Sequence, residues 1–512
     1  MGFRSILFDG VDAGPHEATT EARAFFTDPR LDQIIESITA AKPEYDLKPF
    51  FYTPLTNVDA IRYRQEIGQD LEDDWLLERI NSFSEKMSAA SRCLALVDTL
   101  NFTSHQEGWF LEATKSYCEA VTGLAHDLTL ANLHSRGLAA FREYVSHYVD
   151  SEGFQTLWLE TRNLQTDLAG VKYCLMIRGN MVKVFKYEAE TDYSLDVEKA
   201  FEKFKDSAAR NYYNYKGNPE DDDMDFVEAQ ILDCVARLYP DVFYRLDQYC
   251  VRYSRFMDET IRVFTQEIQF YVAYQEYIAD LKRSGLKFCY PRISDTKEVY
   301  DFEGFDLALA FSLNAKDMPV VSNDFYLNGP ERILVVSGPN QGGKTTFART
   351  FGQIHYLARL GCSVPGSEAR LFLYDQLFTH FENEESIENL RGKLEDDLVR
   401  IYGILNQATT NSIVILNEIF TSTTFKDAAF LCRRILETIV NLDLLCVFVT
   451  FVDELASFNE KTVSMVSTVA PENPALRTYK ILREPAGGLT YAILLAEKYR
   501  LTESQLMERI KS

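Results

Sequence analysis

The octapeptide GPNQGGKT, at residues 338–345, constrains the fold of this chain more than any other feature of its sequence. It matches the pattern Gly-x-x-x-x-Gly-Lys-Ser/Thr at every fixed position. The apolar run ERILVVSG leads into it, and a helical pattern follows from about Thr345 to Leu360. Because a strand, a glycine-rich turn and a helix in this order build a phosphate-binding loop, we predict such a loop here.

The groups in this loop suit a nucleoside triphosphate. Backbone N–H groups can surround phosphate oxygens, and the helix N-terminus adds the positive end of its dipole. Lys344 can reach the β- and γ-phosphates, and the Thr345 hydroxyl can bind Mg²⁺. The predicted nucleotide-binding residues are Gly338, Pro339, Asn340, Gln341, Gly342, Gly343, Lys344, Thr345 and Thr346.

The segment SIVILNEIF, at residues 412–420, predicts a buried strand that ends at Asn417 and Glu418. In many ATP-hydrolysing proteins the corresponding strand ends in Asp-Glu, where the Asp supports Mg²⁺ and the Glu polarises the attacking water. We therefore predict Glu418 and Lys344 as catalytic residues, and Thr345 and Asn417 as metal ligands.

The sequence changes character near residue 290. Beyond Pro291, strands such as SIVILNEI and LLCVFVTF alternate with helical stretches, which favours a mostly parallel α/β sheet of the P-loop NTPase type. Before that point helical patterns dominate. Because 512 residues are too many for one core, we predict an N-terminal segment 1–25, an elongated helical domain 26–290, and a compact α/β domain 291–512.

Two features are predicted within the helical domain. YCLMIRGNMVKVFKY contains two β-rich runs around Gly179-Asn180, which predicts a hairpin near 171–187. From Asp241 to Ser284 the chain has no Gly or Pro, and its apolar residues recur mostly at intervals of three or four. We therefore predict one long helix over 241–284. An acidic connector at 218–225 and an N-cap at Asn57 complete the outline.

The charge and cysteine content restrict the partners and the compartment. The net charge of −24 excludes a generally cationic nucleic-acid binder, although a local basic patch could still hold DNA. The nine cysteines are scattered without a Cys-x-x-Cys pair, which favours reduced thiols. No apolar run is long enough to span a membrane. We expect a cytoplasmic protein with no membrane partner.

The amino-acid sequence of the phosphate loop is characteristic of one family. SGPNQGGKTTFART resembles the loop of the MutS family of DNA mismatch-repair ATPases, whose usual form is TGPNMGGKST. VVSNDFYL, NEIFTSTTFKDA, VTFVDEL and PAGGLTYAILLAEKYRLTESQLMERI resemble other segments of the family's ATPase domain, and PLTNVDAIRYRQEIG resembles its core. The resemblance covers about residue 25 to the end and is strongest over 320–510.

This resemblance implies an ABC-type ATPase domain behind core and lever helices with a reduced clamp. It implies ATP and Mg²⁺ as ligands, a homodimer through the ATPase domains, and binding to DNA by structure rather than by sequence. No segment resembling the family's mismatch-reading domain precedes the core. We therefore expect that the chain does not recognise mismatches itself.

The chain departs from the family pattern at residues that support metal or partner contacts. Asn417 replaces an Asp, and the lost charge is worth about 1–3 kcal/mol of metal interaction. In the signature segment that acts across the family's dimer, Thr424 and Asp427 match, whereas Phe425 and Lys426 do not.

Two further departures lie where the family senses phosphate and base. Phe451 stands in place of a His and cannot hydrogen-bond, and Val320 stands in place of an aromatic adenine platform. The residues that bind nucleotide in the family thus match the family pattern better than the residues that couple hydrolysis to a partner. We predict slow ATP hydrolysis.

The basic residues of the hairpin are the candidate DNA contacts, namely Lys172, Arg178, Lys183 and Lys186. Ordinary solvated charges on a half-exposed hairpin would give the same pattern. Two functions therefore stay open. One is a nucleotide-controlled DNA clamp related to repair or recombination; the other is a nucleotide-switched scaffold for protein or RNA with little or no DNA binding.

Overall fold

The computed structural model describes residues 3–8, 24–178, 181–188, 226–381, 392–470, 473–486, 501–502 and 506–507. The chain divides into two compact units. The first unit comprises Met1–Phe3, Asp74–Leu133 and Ala139–Thr265, and the second comprises Arg4–Asp73, His134–Leu138 and Gln266–Ser512. Residues 26–73, assigned from the sequence to the helical domain, therefore lie in the unit that contains the α/β region.

Helices form the described chain up to the hairpin. They are α1 (Ala24–Thr27), α2 (Leu31–Thr39), α3 (Lys48–Phe51), α4 (Val58–Asp70), α5 (Asp74–Thr99), α6 (Thr103–Leu130), α7 (Arg136–Asp150) and α8 (Glu152–Ala169). Asn57 caps α4 as predicted, because its Oδ1 accepts hydrogen bonds from the N–H groups of Asp59 and Ala60 at 2.7 and 3.4 Å. Among the helices of the described residues, none is long and apolar enough to cross a membrane.

The predicted hairpin is present in the first unit. Strand β1 (Tyr173–Arg178) pairs antiparallel with β2 (Met181–Lys186), with Tyr173 opposite Lys186 and Arg178 opposite Met181. The Gly179-Asn180 turn and the acidic connector at 218–225 lie outside the described residues. Beyond that connector, helix α9 spans Phe226–Leu238.

The single helix predicted over 241–284 is wrong. The chain instead forms α10 (Pro240–Arg252) and α11 (Glu259–Arg283), separated by six non-helical residues, 253–258. In this break Phe256 is buried edge-on against the rings of Phe110 and Tyr117. Asp258 Oδ1 accepts a hydrogen bond from the N–H of Ile261 at 3.0 Å, as a helix N-cap does. The burial of Phe256 and the cap at Asp258 therefore interrupt the helix, although the spacing of apolar residues predicted one continuous helix.

The second unit contains an α/β region with a mixed, mostly parallel sheet. Its helices are α12 (Leu307–Asn314), α13 (Lys344–Arg359), α14 (Lys393–Gln407) and α15 (Phe425–Leu442). The six strands of the main sheet are β7 (Ile333–Ser337), β10 (Leu377–Phe381), β11 (Ile413–Asn417), β12 (Leu445–Val449), β13 (Thr462–Ala470) and β14 (Asn473–Leu482). They lie in the order β10-β11-β12-β7-β13-β14, and every neighbouring pair is parallel except β13 and β14.

The parallel strands explain how distant residues meet at one edge. Phe381, Asn417 and Val449 lie side by side at the carboxyl ends of β10, β11 and β12. The neighbouring β7 ends at Ser337, directly before the phosphate loop. Because every residue of β7, β11 and β12 is buried, the side chains that follow these strands are held by a rigid core.

A smaller four-stranded sheet adjoins this region. Its members are β4 (Arg292–Ser294), β5 (Val299–Gly304), β6 (Asn323–Leu327) and β9 (Glu368–Phe372), in the order β4-β9-β5-β6. A further pair consists of β3 (Phe288–Cys289) and β8 (Val364–Pro365). The loop before β6 carries Val320, so this sheet determines where that residue lies.

Buried hydrogen bonds explain why the segment 4–73 belongs to the second unit. The guanidinium of Arg64 is fully buried and donates to the carbonyl oxygens of Leu7 and Leu360 at 2.9 and 3.1 Å. Gln353, on α13, donates from Nε2 to the carbonyl of Pro29 at 2.7 Å. Buried polar groups need such partners, so this segment and α13 stabilise one another.

Candidate nucleotide-binding site

The phosphate loop, residues 338–345, has the strand–loop–helix arrangement expected from the sequence. Gly343 precedes α13 with φ of 94°, a backbone conformation that suits glycine. A Cβ at Gly342 would overlap the Ser467 hydroxyl, which donates a hydrogen bond to the Gly342 carbonyl at 2.7 Å. Glycine is thus required at these positions by backbone conformation and by close approach of β13.

Lys344 is buried at the centre of the loop. Its Nζ donates to the carbonyl oxygens of Gly338 and Pro339 at 3.1 and 3.2 Å, and to Asn340 Oδ1 at 3.4 Å. The Glu418 carboxylate lies 3.2 Å from the same ammonium group. Because Lys344 is only 4% exposed, these oxygens supply the acceptors that a buried charge requires.

The predicted metal ligands lie together. The Thr345 hydroxyl donates to Asn417 Oδ1 at 3.1 Å, which joins the start of α13 to the end of β11. Both side chains present oxygen atoms, the donor type that Mg²⁺ prefers. The donor set therefore fits Mg²⁺, although both oxygens are neutral.

Glu418 leaves the sheet in an unusual backbone conformation. Its φ is 52°, in the left-handed region, and its N–H donates to the carbonyl of Val449 at 3.0 Å. Such a conformation costs a non-glycine residue about 1–3 kcal/mol, so it is retained where the surroundings determine it. The turn directs the carboxylate toward Lys344 rather than along the strand.

A cavity of about 690 Å³ opens beside the loop. Its lining includes loop residues 340–346 and Glu418, together with an apolar group that includes Leu309, Leu313, Pro319 and Val320. Its volume lies within the range of about 300–1,000 Å³ that is usual for small-molecule sites. Val320 therefore lies where the sequence predicted contact with a nucleotide base.

Asp306 also lines this cavity but has a structural role. Its Oδ1 accepts from the N–H of Leu309 at 3.1 Å, which caps α12, and from Gln353 Nε2 at 2.8 Å. Burial raises the pKa of the Asp306 carboxyl, against the lowering effect of the Gln353 hydrogen bond. The Oδ1 atom of Asp306 therefore already accepts hydrogen bonds from two groups of the protein.

Sequence reasoning missed several residues that hold the site together. Ser467 fixes Gly342, and Arg477 donates from Nε to the carbonyl of Asn340 at 3.1 Å. Asn323 donates from Nδ2 to the carbonyl of Tyr479 at 3.2 Å, and the Tyr479 side chain lines the cavity. These residues come from β6, β13 and β14, more than a hundred residues from the loop in several cases. Asn323 lies in the segment VVSNDFYL noted above, but no local motif marks Ser467, Arg477 or Tyr479.

The predicted signature residues lie at the start of α15. Thr424 is its N-cap: the hydroxyl accepts from the N–H of Asp427 at 3.3 Å and donates to Asp427 Oδ2 at 2.8 Å. Phe425 and Phe451 are 61% and 39% exposed, and their ring centroids are 6.0 Å apart. These two departures from the family pattern therefore form one aromatic contact.

The candidate DNA contacts do not lie on one surface. Lys172, Arg178, Lys183 and Lys186 are all exposed and belong to the first unit. The register puts Arg178 and Lys183 on one face of the hairpin and Lys186 on the other. Lys186 Nζ lies 4.9 Å from the ring centroid of Tyr239, as in a cation–π contact.

Comparison with known proteins gives one family. Residues 334–505 match the MutS domain V family. DNA mismatch repair protein MutS of Orientia tsutsugamushi (strain Boryong) is 30% identical over 215 residues, which is 41% of this chain and 24% of that protein. MutS of Erythrobacter litoralis (strain HTCC2594) is 32% identical over 178 residues, or 35% of this chain and 20% of that protein.

A third relative matches over a similar length. MutS of Geobacillus sp. (strain WCH70) is 27% identical over 226 residues, covering 43% of this chain and 26% of that protein. The chain thus spans about a quarter of the length of the curated relatives that it matches. The matched region contains the phosphate loop, β11 with Asn417 and Glu418, and α15. Residues 334–505 of this chain therefore belong to the MutS domain V family.

Proposed function

We propose that this chain is an ATP-binding protein of the MutS type that hydrolyses ATP slowly and binds DNA under nucleotide control. The observation that carries the proposal is the convergence of four side chains at one end of the sheet. Lys344 lies 3.2 Å from Glu418, and Thr345 lies 3.1 Å from Asn417. A P-loop NTPase of the ABC type uses a lysine, a hydroxyl and a carboxylate in this relation to its loop.

Each residue has a defined task in this proposal. The ammonium of Lys344 exchanges its carbonyl acceptors for β- and γ-phosphate oxygens. Thr345 and Asn417 hold Mg²⁺, which neutralises phosphate charge when bound. Glu418 orients and polarises the attacking water, and Val320 contacts the base through apolar atoms.

We expect slow ATP hydrolysis because two residues of the site lack the charge or hydrogen-bonding group that the family has at their positions. Asn417 offers Mg²⁺ a neutral oxygen, and Phe451 offers phosphate no hydrogen bond. Phosphoryl transfer depends mainly on positioning and charge stabilisation, so Lys344, Thr345 and Glu418 sustain a reduced rate.

The partners belong to the same proposal. The MutS relatives are named as DNA mismatch repair proteins, which supports DNA as a ligand for this chain. We propose a homodimer through the ATPase domains, with Thr424 and Asp427 facing the partner's nucleotide. Mismatch recognition is not proposed for this chain.

Nucleotide binding is tested by calorimetric titration with ATP. Lys344→Ala should weaken ATP binding at least tenfold, because the variant loses the charge nearest the phosphates. Lys86→Ala removes an equivalent charge from the exposed surface of α5 and serves as the matched control. Equal affinities for the two variants, or no ATP binding by the wild type, would contradict the proposal.

A salt titration separates the DNA clamp from the interaction scaffold. For the clamp, affinity for branched DNA falls steeply with salt, and DNA stimulates hydrolysis. For the scaffold, ATP binds but DNA does not, even at low salt. Molar mass in solution, measured with ATP and with ADP, tests the dimer in the same samples: the proposal predicts twice the monomer mass with ATP.

A further inference from the structure

The hairpin β1–β2 has two chemically different faces. Side chains alternate between the faces of a strand, so the register assigns each residue to one of them. The N–H of Tyr187 donates to the carbonyl of Lys172 at 3.2 Å, which extends the ladder by one pair. We call one side the basic-aromatic face; it consists of Lys172, Cys174, Met176, Arg178, Met181, Lys183, Phe185 and Tyr187.

The large apolar side chains of this face are exposed to solvent, as are those of the opposite face. Phe185 and Tyr187 are 42% and 43% exposed, and Met176 and Met181 are 55% and 57% exposed. Large apolar side chains gathered on a solvent-facing strand pair indicate an interaction surface rather than a fold requirement. Three cations of the hairpin lie among them, on the same face.

The local charge identifies the kind of partner. Residues 171–188 contain four cations, Lys172, Arg178, Lys183 and Lys186, and one acid, Glu188, in a chain whose net charge is −24. A positive local balance in a strongly acidic protein complements an anionic partner. Cations and rings that share one face of a strand pair complement a polymer in which a negative group and a flat ring repeat.

We infer that the basic-aromatic face binds single-stranded DNA. Phe185 and Tyr187 stack on exposed bases, and Lys172, Arg178 and Lys183 contact phosphates. Duplex DNA satisfies the phosphate contacts but keeps its bases stacked inside, so the rings gain little from it. The inference rests on the proposed DNA binding and deepens it by naming the form of DNA.

Fluorescence anisotropy of the full chain with a labelled single strand, and with a duplex of equal length, tests this inference. Phe185→Leu should weaken single-strand binding by about 5- to 150-fold, corresponding to roughly 1–3 kcal/mol per stacked base. Tyr173→Leu is the matched control, because Tyr173 is 44% exposed on the opposite face of the same hairpin. Phe185→Tyr retains a ring and should retain the affinity.

The salt dependence tests the phosphate contacts separately. Lys183→Gln should reduce the slope of log affinity against log salt by about 0.7. Lys186→Gln should leave the slope unchanged, because Lys186 lies on the opposite face over Tyr239. Melting temperatures of all variants establish that the hairpin changes leave the fold intact.

Three results would overturn the inference. They are equal affinity for single strand and duplex, equal losses in Phe185→Leu and Tyr173→Leu, and a loss in Phe185→Leu that affects binding to phosphatidylserine vesicles instead of DNA. ATP titration of the same samples distinguishes the two proposals. Intact ATP binding without single-strand preference contradicts this inference alone, whereas absent ATP binding contradicts the proposed function.

Discussion

Asn417 is the residue at which the site differs most consequentially from a strongly hydrolysing one. Its amide oxygen accepts from Thr345 at 3.1 Å, and it is 5% exposed at the end of β11. The proposed metal ligand is therefore a neutral amide oxygen beside the Thr345 hydroxyl, without the charge of a carboxylate. A carboxylate at this position would strengthen the metal interaction by about 1–3 kcal/mol.

Asn417→Asp should therefore raise the rate of ATP hydrolysis, by about tenfold or more if the missing charge limits turnover. The measurement is steady-state phosphate release at saturating ATP and Mg²⁺. Asn411→Asp adds the same charge before the other end of β11 and should leave the rate unchanged. An unchanged or lower rate in Asn417→Asp alone would show that another step limits turnover.

At the residue scale, local motifs identify the residues that converge at the candidate site, but not the residues that support them. Lys344, Thr345 and Glu418 follow from short patterns, because their roles depend on a loop and a strand end. Ser467 and Arg477 could not be predicted, because each acts on the loop from a strand distant in sequence. Their chemistry is ordinary, and only the strand order brings them to the site.

At the scale of elements, α15 depends on the cap at its first turn. Thr424→Ala removes the hydroxyl that accepts from the N–H of Asp427. We expect the free energy of local opening at the start of α15 to fall by about 0.5–2 kcal/mol. Hydrogen exchange at residues 425–428 measures this change. Thr424→Ser keeps the hydroxyl and should keep most of the protection; equal exchange in both variants would contradict the cap.

The C-terminal end of α15 carries a charge cluster around Asp443. Partial burial raises the pKa of Asp443, but the hydrogen bond from Lys461 and the charges of Lys297 and Arg332 outweigh it and lower the pKa to about 2. Lys461 Nζ lies 2.7 Å from Oδ1. A lowered pKa means that the ionised carboxylate stabilises the folded protein above the unfolded pKa, and that this contribution disappears as pH falls through the folded pKa.

Asp443→Asn should therefore lower the melting temperature between about pH 5 and 7 by a constant amount. Below about pH 4 the difference from wild type should shrink, since the unfolded carboxyl begins to take up protons there. Thermal melts across this pH range measure it, with Asp453→Asn, on the nearby 3₁₀ turn Asp453–Ser457, as a control for a general change of charge. A difference that grows on acidification would contradict the assignment.

The break in the helix predicted over 241–284 could not be predicted from the spacing of apolar residues. Apolar spacing correctly identified helical residues on both sides of the break, but spacing does not register a six-residue interruption. The interruption arises because Phe256 is buried among Phe110 and Tyr117, which lie far earlier in the chain. By contrast, β7 and β11 were predictable because short apolar runs next to glycine or acidic residues mark buried parallel strands.

At the scale of the whole molecule, the chain combines a helical unit carrying an exposed hairpin with a unit carrying the nucleotide site. The change in sequence character near residue 290 correctly located the α/β region. It did not reveal that residues 4–73 belong to the same compact unit, because that assignment depends on burial of groups such as Arg64. The local composition of a segment does not predict contacts with residues that lie far away in the sequence.

We propose above all that this chain binds ATP and hydrolyses it slowly, with Glu418 as the residue that polarises water. The most direct measurement combines ATP binding with phosphate release for the wild type and Glu418→Gln. We predict that both proteins bind ATP with similar affinity and that phosphate release falls at least tenfold in the variant. Phosphate release unaffected by Glu418→Gln, or a wild type that does not bind ATP, would contradict the claim.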